Sequence, residues 1–226
     1  GTSTSSLVFA GAPGPLSSTE EYHVTAATIT AATWSSGEAI NQIRRVGAGT
    51  GTQTSGMIFG GLDTSTALGH TEQYDGTDWT EVGDLNTARG KLGSATGGSQ
   101  TASLAFGGST AEPSNPGIVD NSEEFNGSSW AEGDNVNTAR AYSGSFGTQT
   151  AGVVYGPRTY NATELWDGTT WATSAKYSTS RGGNNAGDST SGLLVGGYTG
   201  SANSNATEEF TGATTGTATV KSIDFD

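Results

Sequence analysis

Charged residues recur at fixed places along the chain, and they are the groups best able to do chemistry. Ten residues separate each repeated arginine from the tryptophan before it; the pairs are Trp34 and Arg44, Trp79 and Arg89, Trp130 and Arg140, and Trp171 and Arg181. One glutamate per repeat lies two residues before an aromatic residue: Glu20, Glu72, Glu123, Glu164 and Glu208. Clustered guanidinium groups could bind an anion. One arginine and one glutamate per repeat favour structural pairs that bridge repeats or hold loops.

The remaining polar groups do not form a known catalytic pattern. Asp75 and Asp167 each precede glycine, and Asn126 does so in another repeat. These dipeptides are typical of tight hairpin turns, because they tolerate positive φ. His23 and His70 are the only histidines, there is no cysteine, and no spacing suggests a metal site. The sequence therefore predicts no catalytic residue, no metal and no cofactor.

The composition narrows the range of partners. The 226 residues include 22 acidic and 9 basic residues, which argues against nucleic acid and anionic lipid as partners. No apolar run approaches the roughly 18 residues that a membrane-spanning helix needs. Glycine is abundant, with 36 residues, and such a composition can indicate disorder. However, the apolar residues are grouped in short runs that recur, which favours an ordered fold.

These apolar runs are the most visible part of an internal repeat. Each run ends in glycine or proline, and the runs lie at 5–11, 55–61, 102–108, 151–157 and 191–197. A polar loop, a Glu-x-aromatic segment, a turn, a tryptophan and the arginine follow in the same order in most repeats. Aromatic and tryptophan are five residues apart three times, as in Phe125 and Trp130. Segments that recur in the same order at regular spacing are typical of repeat architectures.

Each repeat predicts four short antiparallel strands and no helix, which is the composition of one propeller blade. We expect an all-β protein, a β-propeller of five blades in a single domain over residues 1–226. The predicted blades are 1–43, 44–88, 89–139, 140–180 and 181–226. The last repeat makes 217–226 its outer strand and places Thr215 where the other repeats have tryptophan. The first blade lacks an inner strand. Residues upstream of Gly1 are the favoured source of this strand, and residues 217–226 are the alternative.

The order of glycine pair, Glu-x-aromatic, tryptophan and arginine resembles the kelch motif over nearly the whole chain. The segments GTQT, FGG, TEEY, DGT and NTAR are more narrowly similar to kelch-like repeats in virion structural proteins of marine bacteriophages. This resemblance implies a non-catalytic tail-fibre, appendage or decoration domain in the virion, outside cells. It implies host attachment, with bacterial surface polysaccharide or other virion proteins as partners, and it allows a homo-oligomer.

Loops between the second and third strands are the least regular part of the repeat. They vary from 5 to 13 residues and contain all five prolines. Variable loops on a regular scaffold are where binding residues are usually found. The candidate contact residues are Leu62, Asp63, Leu68, Pro113, Asn115, Arg158, Tyr160 and Tyr198. Receptor contact and contact with a neighbouring subunit are both open, and the apolar insertion at 23–33 predicts an assembly contact or an extra hairpin.

Two other functions are weighed against this one. A free carbohydrate-binding lectin would suit five blades and loop tyrosines, but a lectin should repeat its sugar contacts in every blade. A glycan-degrading enzyme could pair carboxylates from distant blades around a channel, and it ranks below the other two.

Overall fold

A computed structural model describes residues 36–64, 66–111, 117–157 and 159–212. Contacts divide the chain into two compact units, Gly1–Gly37 and Glu38–Asp226, and the account below concerns the second. Several predicted positions lie outside the described residues: Glu20, His23, the insertion 23–33, Trp34, Pro113, Asn115, Arg158, Thr215 and the strand 217–226.

The described chain is built from β-strands alone, as predicted, and they form four antiparallel sheets. Sheet I contains β1 (Ala48–Thr52), β2 (Ser55–Phe59), β3 (Thr71–Tyr74) and β4 (Trp79–Val82). Sheet II contains β5 (Gly93–Ser94), β6 (Ser103–Phe106), β7 (Ser122–Phe125) and β8 (Trp130–Glu132). Sheet III contains β9 (Gly144–Thr148), β10 (Ala151–Tyr155), β11 (Thr163–Trp166) and β12 (Trp171–Ser174). Sheet IV contains β13 (Gly182–Gly187), β14 (Ser191–Tyr198) and β15 (Asn203–Thr211).

Within each sheet the strands follow chain order, so every connection is a hairpin. The five-residue spacing seen in the sequence places Phe125 directly opposite Trp130, with ring centroids 5.1 Å apart. The turn between them is held by Asn126, whose Oδ1 accepts hydrogen bonds from the backbone N–H groups of Ser128 and Ser129, both at 3.0 Å. Asp75 and Asp167 make the same contacts in their turns. The predicted hairpin turns are confirmed.

The hydrophobic core lies between consecutive sheets. One cluster joins sheets I and II, and it includes Phe59, Leu85 and Trp130. A second joins sheets II and III, and it includes Phe106, Val136 and Trp171. In each, the tryptophan of the later sheet packs on the aromatic residue that ends the second strand of the earlier one. Each sheet therefore buries its apolar face against its neighbour in the chain.

The first strands of successive sheets are neighbours, and side chains join them. Ser94 Oγ donates to the carbonyl of Gly49 at 3.2 Å, and Ser145 Oγ donates to that of Ser94 at 2.8 Å. Asn185 Nδ2 continues the series to the carbonyl of Ser145 at 2.6 Å. Small residues are required here, since a Cβ added to Gly93 would lie 2.2 Å from the Phe106 ring. The small residues of these strands thus have a packing cause.

Glutamine side chains make a second set of bonds between sheets. Gln100, in the turn after β5, donates through Nε2 to the carbonyls of Gly56 (2.7 Å) and Tyr74 (2.5 Å) in sheet I. Gln149, in the turn after β9, donates in the same way to the carbonyl of Phe125 at 2.9 Å in sheet II. These three bonds satisfy carbonyls of the second and third strands of a sheet, so each turn holds the preceding sheet in place.

Candidate binding face at the link end of the sheets

Two kinds of connection meet at one end of each sheet. The link leads into the first strand of a sheet, and the long loop joins its second and third strands. Because antiparallel strands alternate in direction, both connections lie at the same end. Short antiparallel backbone contacts join the link to the long loop, between Arg45 and Leu62 and between Gly90 and Ser109. We call this the link end of the sheets, and it is where the predicted contact residues lie.

A buried ion pair holds each link to its own sheet. The pairs are Arg44–Glu72, Arg89–Glu123, Arg140–Glu164 and Arg181–Glu208. In the first three, no side chain is more than 1% exposed, whereas Glu208 is 25% exposed. The predicted pairing of the two charges is confirmed. Arginine and glutamate belong to the same repeat, so the pair holds a loop rather than bridging two repeats.

An asparagine three residues before the arginine completes this arrangement. The backbone N–H and Nδ2 of Asn86 donate to Glu123 Oε2 at 2.6 Å and 2.9 Å. Nδ2 also donates to the carbonyl of Trp130 at 3.1 Å, which adds a bond to the last strand of the same sheet. Asn41 and Asn137 do the same in their repeats, and in the fourth latch Ser178 donates its backbone N–H to Glu208. We call the asparagine or serine, arginine and glutamate the link latch.

Sequence reasoning missed the asparagines, although a signal was present. NTAR occurs twice and NQIR once, so asparagine precedes three of the arginines at the same distance. Asparagine is neither charged nor apolar, so a search for charge or hydrophobic periodicity does not mark this position. At this position asparagine donates both its backbone N–H and its side-chain amide to the carboxylate, whereas an ionised aspartate side chain could not donate.

Hydrogen bonding favours the ionised form of two latch glutamates, Glu72 and Glu208. Burial raises the pKa of Glu72, but hydrogen bonds from Asn41, Gln42 and Arg44 outweigh burial, so the pKa lies below its ordinary value of 4.5. Burial also raises the pKa of Glu208, and bonds from Ser178 and Arg181 bring it below 4.5. A carboxylate held in this way is a poor proton donor and base, because its charged form is the bonded one. The latch suits positioning rather than reaction.

Acid should release the links. A carboxyl group with a lowered pKa in the folded state stabilises the protein above its unfolded pKa, here about 4.5, and this stabilisation is lost as pH falls through the folded pKa. We expect the melting temperature to fall steeply below about pH 4.5. Glu72→Gln should melt lower than wild type at pH 7 and respond less to acid. Thermal unfolding from pH 7 to pH 3 measures both, and parallel curves for the two proteins would contradict the role of Glu72.

Beyond the latch, the chain adopts a conformation that is unusual for residues with side chains. Val46, Lys91 and Tyr142 each follow a latch arginine by two residues and have φ of 50°, 58° and 57°. Such conformations cost roughly 1–3 kcal/mol each outside glycine. Backbone bonds connect them, from Lys91 N–H to the Val46 carbonyl at 2.8 Å and from Tyr142 N–H to the Lys91 carbonyl at 3.0 Å. The turn is therefore set by the repeat, while its side chain differs between sheets.

Exposed apolar side chains are concentrated at the link end. Six large apolar side chains are exposed in the described part of the chain, and five of them lie at the link end. Four belong to links or long loops, and Tyr198 ends β14 where a long loop begins. The five are Ile43 (71%), Val46 (37%), Ile118 (42%), Tyr142 (55%) and Tyr198 (42%). The sixth, Val195, lies within β14. Lys91 is buried, and its Nζ lies 5.2 Å from the centre of the Tyr142 ring. These exposed side chains make the link end the candidate contact surface of the described residues.

The predicted contact residues divide into exposed and interior ones. Leu62 and Leu68 are 1% and 8% exposed, so these two predictions need correction: both leucines fill the space beneath the link and cannot reach a partner. Asp63 holds its own loop through a bond from the Thr64 N–H to Oδ1. Tyr160 is half-buried, covers the Arg140 guanidinium at 5.6 Å and donates to the Ala139 carbonyl. Tyr198 is the described candidate with substantial exposed ring surface.

One group of metal-ligand type lies at the outer side of sheet I. His70, Glu81 and Asp84 bring one ligand atom each to within 4.8 Å of one another, although 11 and 14 residues separate His70 from the two acids. These three could hold a divalent cation through one nitrogen and two oxygens. Glu81 and Asp84 are exposed, and His70 Nε2 lies 3.7 Å from Glu81 Oε1, a surface pair that accounts for the arrangement without an ion.

The described residues contain no helix long and apolar enough to cross a membrane. The comparison with known proteins adds no relative from which a role for the link end could be taken. No protein-family model and no curated protein sequence matches this chain.

Proposed function

We propose that the chain is a non-catalytic binding module that contacts its partner through the link end of the sheets. The observation that carries this proposal is the position of the exposed large apolar side chains: of the six among the described residues, five lie at that end. The opposite end, formed by the short hairpin turns, offers polar turn residues such as Asp75 and Asn126. Contact residues on one end of a repeat scaffold are a common arrangement for binding.

We further propose that the sheets are blades of a five-bladed propeller. Support comes from the series of bonds between successive first strands and from the same tryptophan contact at two sheet interfaces. The sequence contains five repeats, of which residues 44–212 supply the four described sheets. A ring would place all five link ends on one face, so that separate loops could act on a single partner.

The absence of catalysis is part of the proposal and rests on how the charged groups are used. The four latch arginines and glutamates are committed to one another and to backbone groups. Charges used in this way hold the link in place and are not presented to a substrate. The resemblance to kelch-like virion proteins of marine phages supplies the biological setting: a virion or extracellular domain that binds host polysaccharide or a neighbouring virion protein.

Binding to cells tests the function. Labelled protein is added to intact marine bacteria, and extracted surface polysaccharide is added as a competitor. We expect saturable binding that the polysaccharide removes. Tyr142→Ser with Tyr198→Ser should weaken binding at least tenfold, since exposed aromatic residues often dominate contact energies. Exchange of the loops 109–121 and 158–162 should have a similar effect.

The matched control carries substitutions at the hairpin-turn end, Thr77→Ala with Ser128→Ala, which should bind like wild type. Equal loss from both ends would contradict a binding face at the link end. Absence of binding to any cell at micromolar protein would overturn host attachment and favour contact with neighbouring virion proteins. Release of sugar fragments from the polysaccharide would overturn the non-catalytic assignment.

A further inference from the structure

The hairpin turn between the third and fourth strands is built in the same way in sheets I, II and III, but one of the three begins with an amide. Asp75, Asn126 and Asp167 occupy the first position of the turn, and glycine follows each of them. In sheet II, Asn126 Oδ1 accepts hydrogen bonds from the backbone N–H groups of Ser128 and Ser129 and from the Ser128 hydroxyl, all at 3.0 Å. Three donors therefore converge on one side-chain carbonyl oxygen.

The dipeptide Asn126-Gly127 has the groups that an intramolecular reaction of an asparagine side chain needs. Attack of the Gly127 backbone nitrogen on Asn126 Cγ closes a five-membered ring, and glycine has no Cβ to hinder this approach. Gly127 has a φ of 101°, and its N–H group makes no hydrogen bond to the described residues. Asn126 is exposed, so hydroxide can remove the N–H proton and water can reach the ring. It is also the only asparagine in the sequence that glycine follows.

The donors around Asn126 Oδ1 favour this attack. As the Gly127 nitrogen bonds to Cγ, negative charge develops on Oδ1. Hydrogen-bond donors that are already directed at this oxygen stabilise that charge without rearrangement. The folded turn therefore supplies both the nucleophile and the groups that stabilise the intermediate.

In the turns of sheets I and III, the same donors keep the first residue unreactive. Hydrogen bonds from the backbone N–H groups of Asp78 and Thr77 lower the pKa of Asp75 below its ordinary value of 3.8. Equivalent bonds in its own turn lower the pKa of Asp167. A carboxyl group that stays ionised is a poor electrophile, whereas an amide is neutral at every pH in this range. Of these three turns, only the one in sheet II presents a reactive carbonyl carbon.

We propose that Asn126 is a site of spontaneous deamidation, with water as the co-reactant. The Gly127 nitrogen forms a bond to Cγ, the bond from Cγ to Nδ2 breaks, and Nδ2 leaves as ammonia. Water then opens the cyclic imide: cleavage between the nitrogen and Cγ gives aspartate, and cleavage between the nitrogen and the backbone carbonyl carbon gives isoaspartate. The net change is loss of ammonia and gain of water. The site lies at the hairpin-turn end of the sheet, so it is independent of the proposed function.

The two products should differ in their effect on the fold. Aspartate fits the turn, because Asp75 and Asp167 accept the same backbone bonds in their own turns. Isoaspartate adds a carbon atom to the main chain within the turn. This turn also contacts the preceding sheet: Gly83 N–H donates to the Ser128 carbonyl at 3.2 Å, and a Cβ added to Gly83 would lie 2.5 Å from that oxygen. A longer main chain disturbs this close contact between sheets I and II, so isoaspartate should destabilise the protein.

Storage of the folded protein in mildly alkaline buffer tests the site, with site-resolved mass spectrometry of its peptides over time. We expect Asn126 to be converted to aspartate and isoaspartate roughly tenfold faster than Asn205, or more. Asn205 is the matched control because it is also exposed but precedes alanine, not glycine. The rate at Asn126 should rise with hydroxide concentration and be slow in mildly acidic buffer. Conversion of Asn126 no faster than that of Asn205 would overturn the proposal.

Variants of the turn separate the reaction from its consequence. Ser128→Ala removes the hydroxyl donor to Oδ1 and should deamidate several-fold more slowly, whereas Ser128→Thr, which keeps a hydroxyl, should react like wild type. Asn126→Asp should melt like fresh wild-type protein, while wild-type protein stored until it contains isoaspartate should include a fraction that melts at a lower temperature. Equal rates for Ser128→Ala and wild type would contradict the role of the donors. Stored protein that melts like Asn126→Asp would contradict the effect of isoaspartate on the turn.

Discussion

Arg140→Ala should be among the most destabilising single substitutions in the chain, at a cost of about 3–5 kcal/mol in the free energy of unfolding. Both partners of its ion pair are essentially fully buried, so the substitution leaves the Glu164 carboxylate without its counter-charge. It also removes bonds from the guanidinium to the carbonyls of Gly156 (3.0 Å) and Thr138 (3.1 Å). For a domain of this size the melting temperature should fall by roughly 10 °C, which calorimetry or circular dichroism would measure.

Arg45→Ala is the matched control, because it removes the same side chain and charge from a link. Arg45 lies directly after the latch residue Arg44, in the link that leads into sheet I. Arg45 is exposed and makes one exposed bond, to the Thr64 carbonyl at 3.1 Å. Its loss should change stability by no more than about 0.5 kcal/mol. If Arg140→Ala melts like wild type, the latch does not hold the link, and the structural account of the repeated arginines is wrong.

Trp171→Ala should cost a similar amount, about 3–5 kcal/mol, since it removes a large buried ring from the interface between sheets II and III. The indole contacts the rings of Phe106 and Trp166, each at a centroid distance of 5.3 Å. Its Nε1 also donates to Ser122 Oγ, and that hydroxyl loses its donor in the variant. Chemical denaturation followed by the remaining tryptophan fluorescence would measure the loss.

Trp171→Phe separates the ring from its hydrogen bond. It keeps an aromatic ring and removes the N–H donor together with part of the volume, so it should cost clearly less than the alanine substitution. Equal costs for the two variants would mean that the indole nitrogen, rather than packing, dominates this interface. Negligible costs for both would contradict the view that these tryptophans hold consecutive sheets together.

Much of the fold follows from sequence spacing because the repeat places the same residue type at the same structural position. The five-residue step from Phe125 to Trp130 is one hairpin, and the glycine-rich start of each repeat is a first strand that must be small. The arginine and glutamate pairs were also predictable, since two opposite charges recur once per repeat. Such features are local or periodic, and both kinds can be recognised from the sequence alone.

Other features needed the coordinates because they depend on residues far apart in sequence. Leu62 and Leu68 belong to a variable loop, yet the link folds over them and buries both. Gln100 bonds to carbonyls of Gly56 and Tyr74, and no local pattern shows that its turn reaches the preceding sheet.

The central claim is that the repeats close into a ring of five sheets whose link ends share one face. An experimental structure of the 226-residue chain by crystallography or electron microscopy tests this most directly. The account predicts five sheets around one axis, with residues 1–43 contributing the fifth and the exposed residues Val46, Tyr142 and Tyr198 on the same face. An open arc of sheets, a ring of four, or link ends pointing to opposite faces would contradict it.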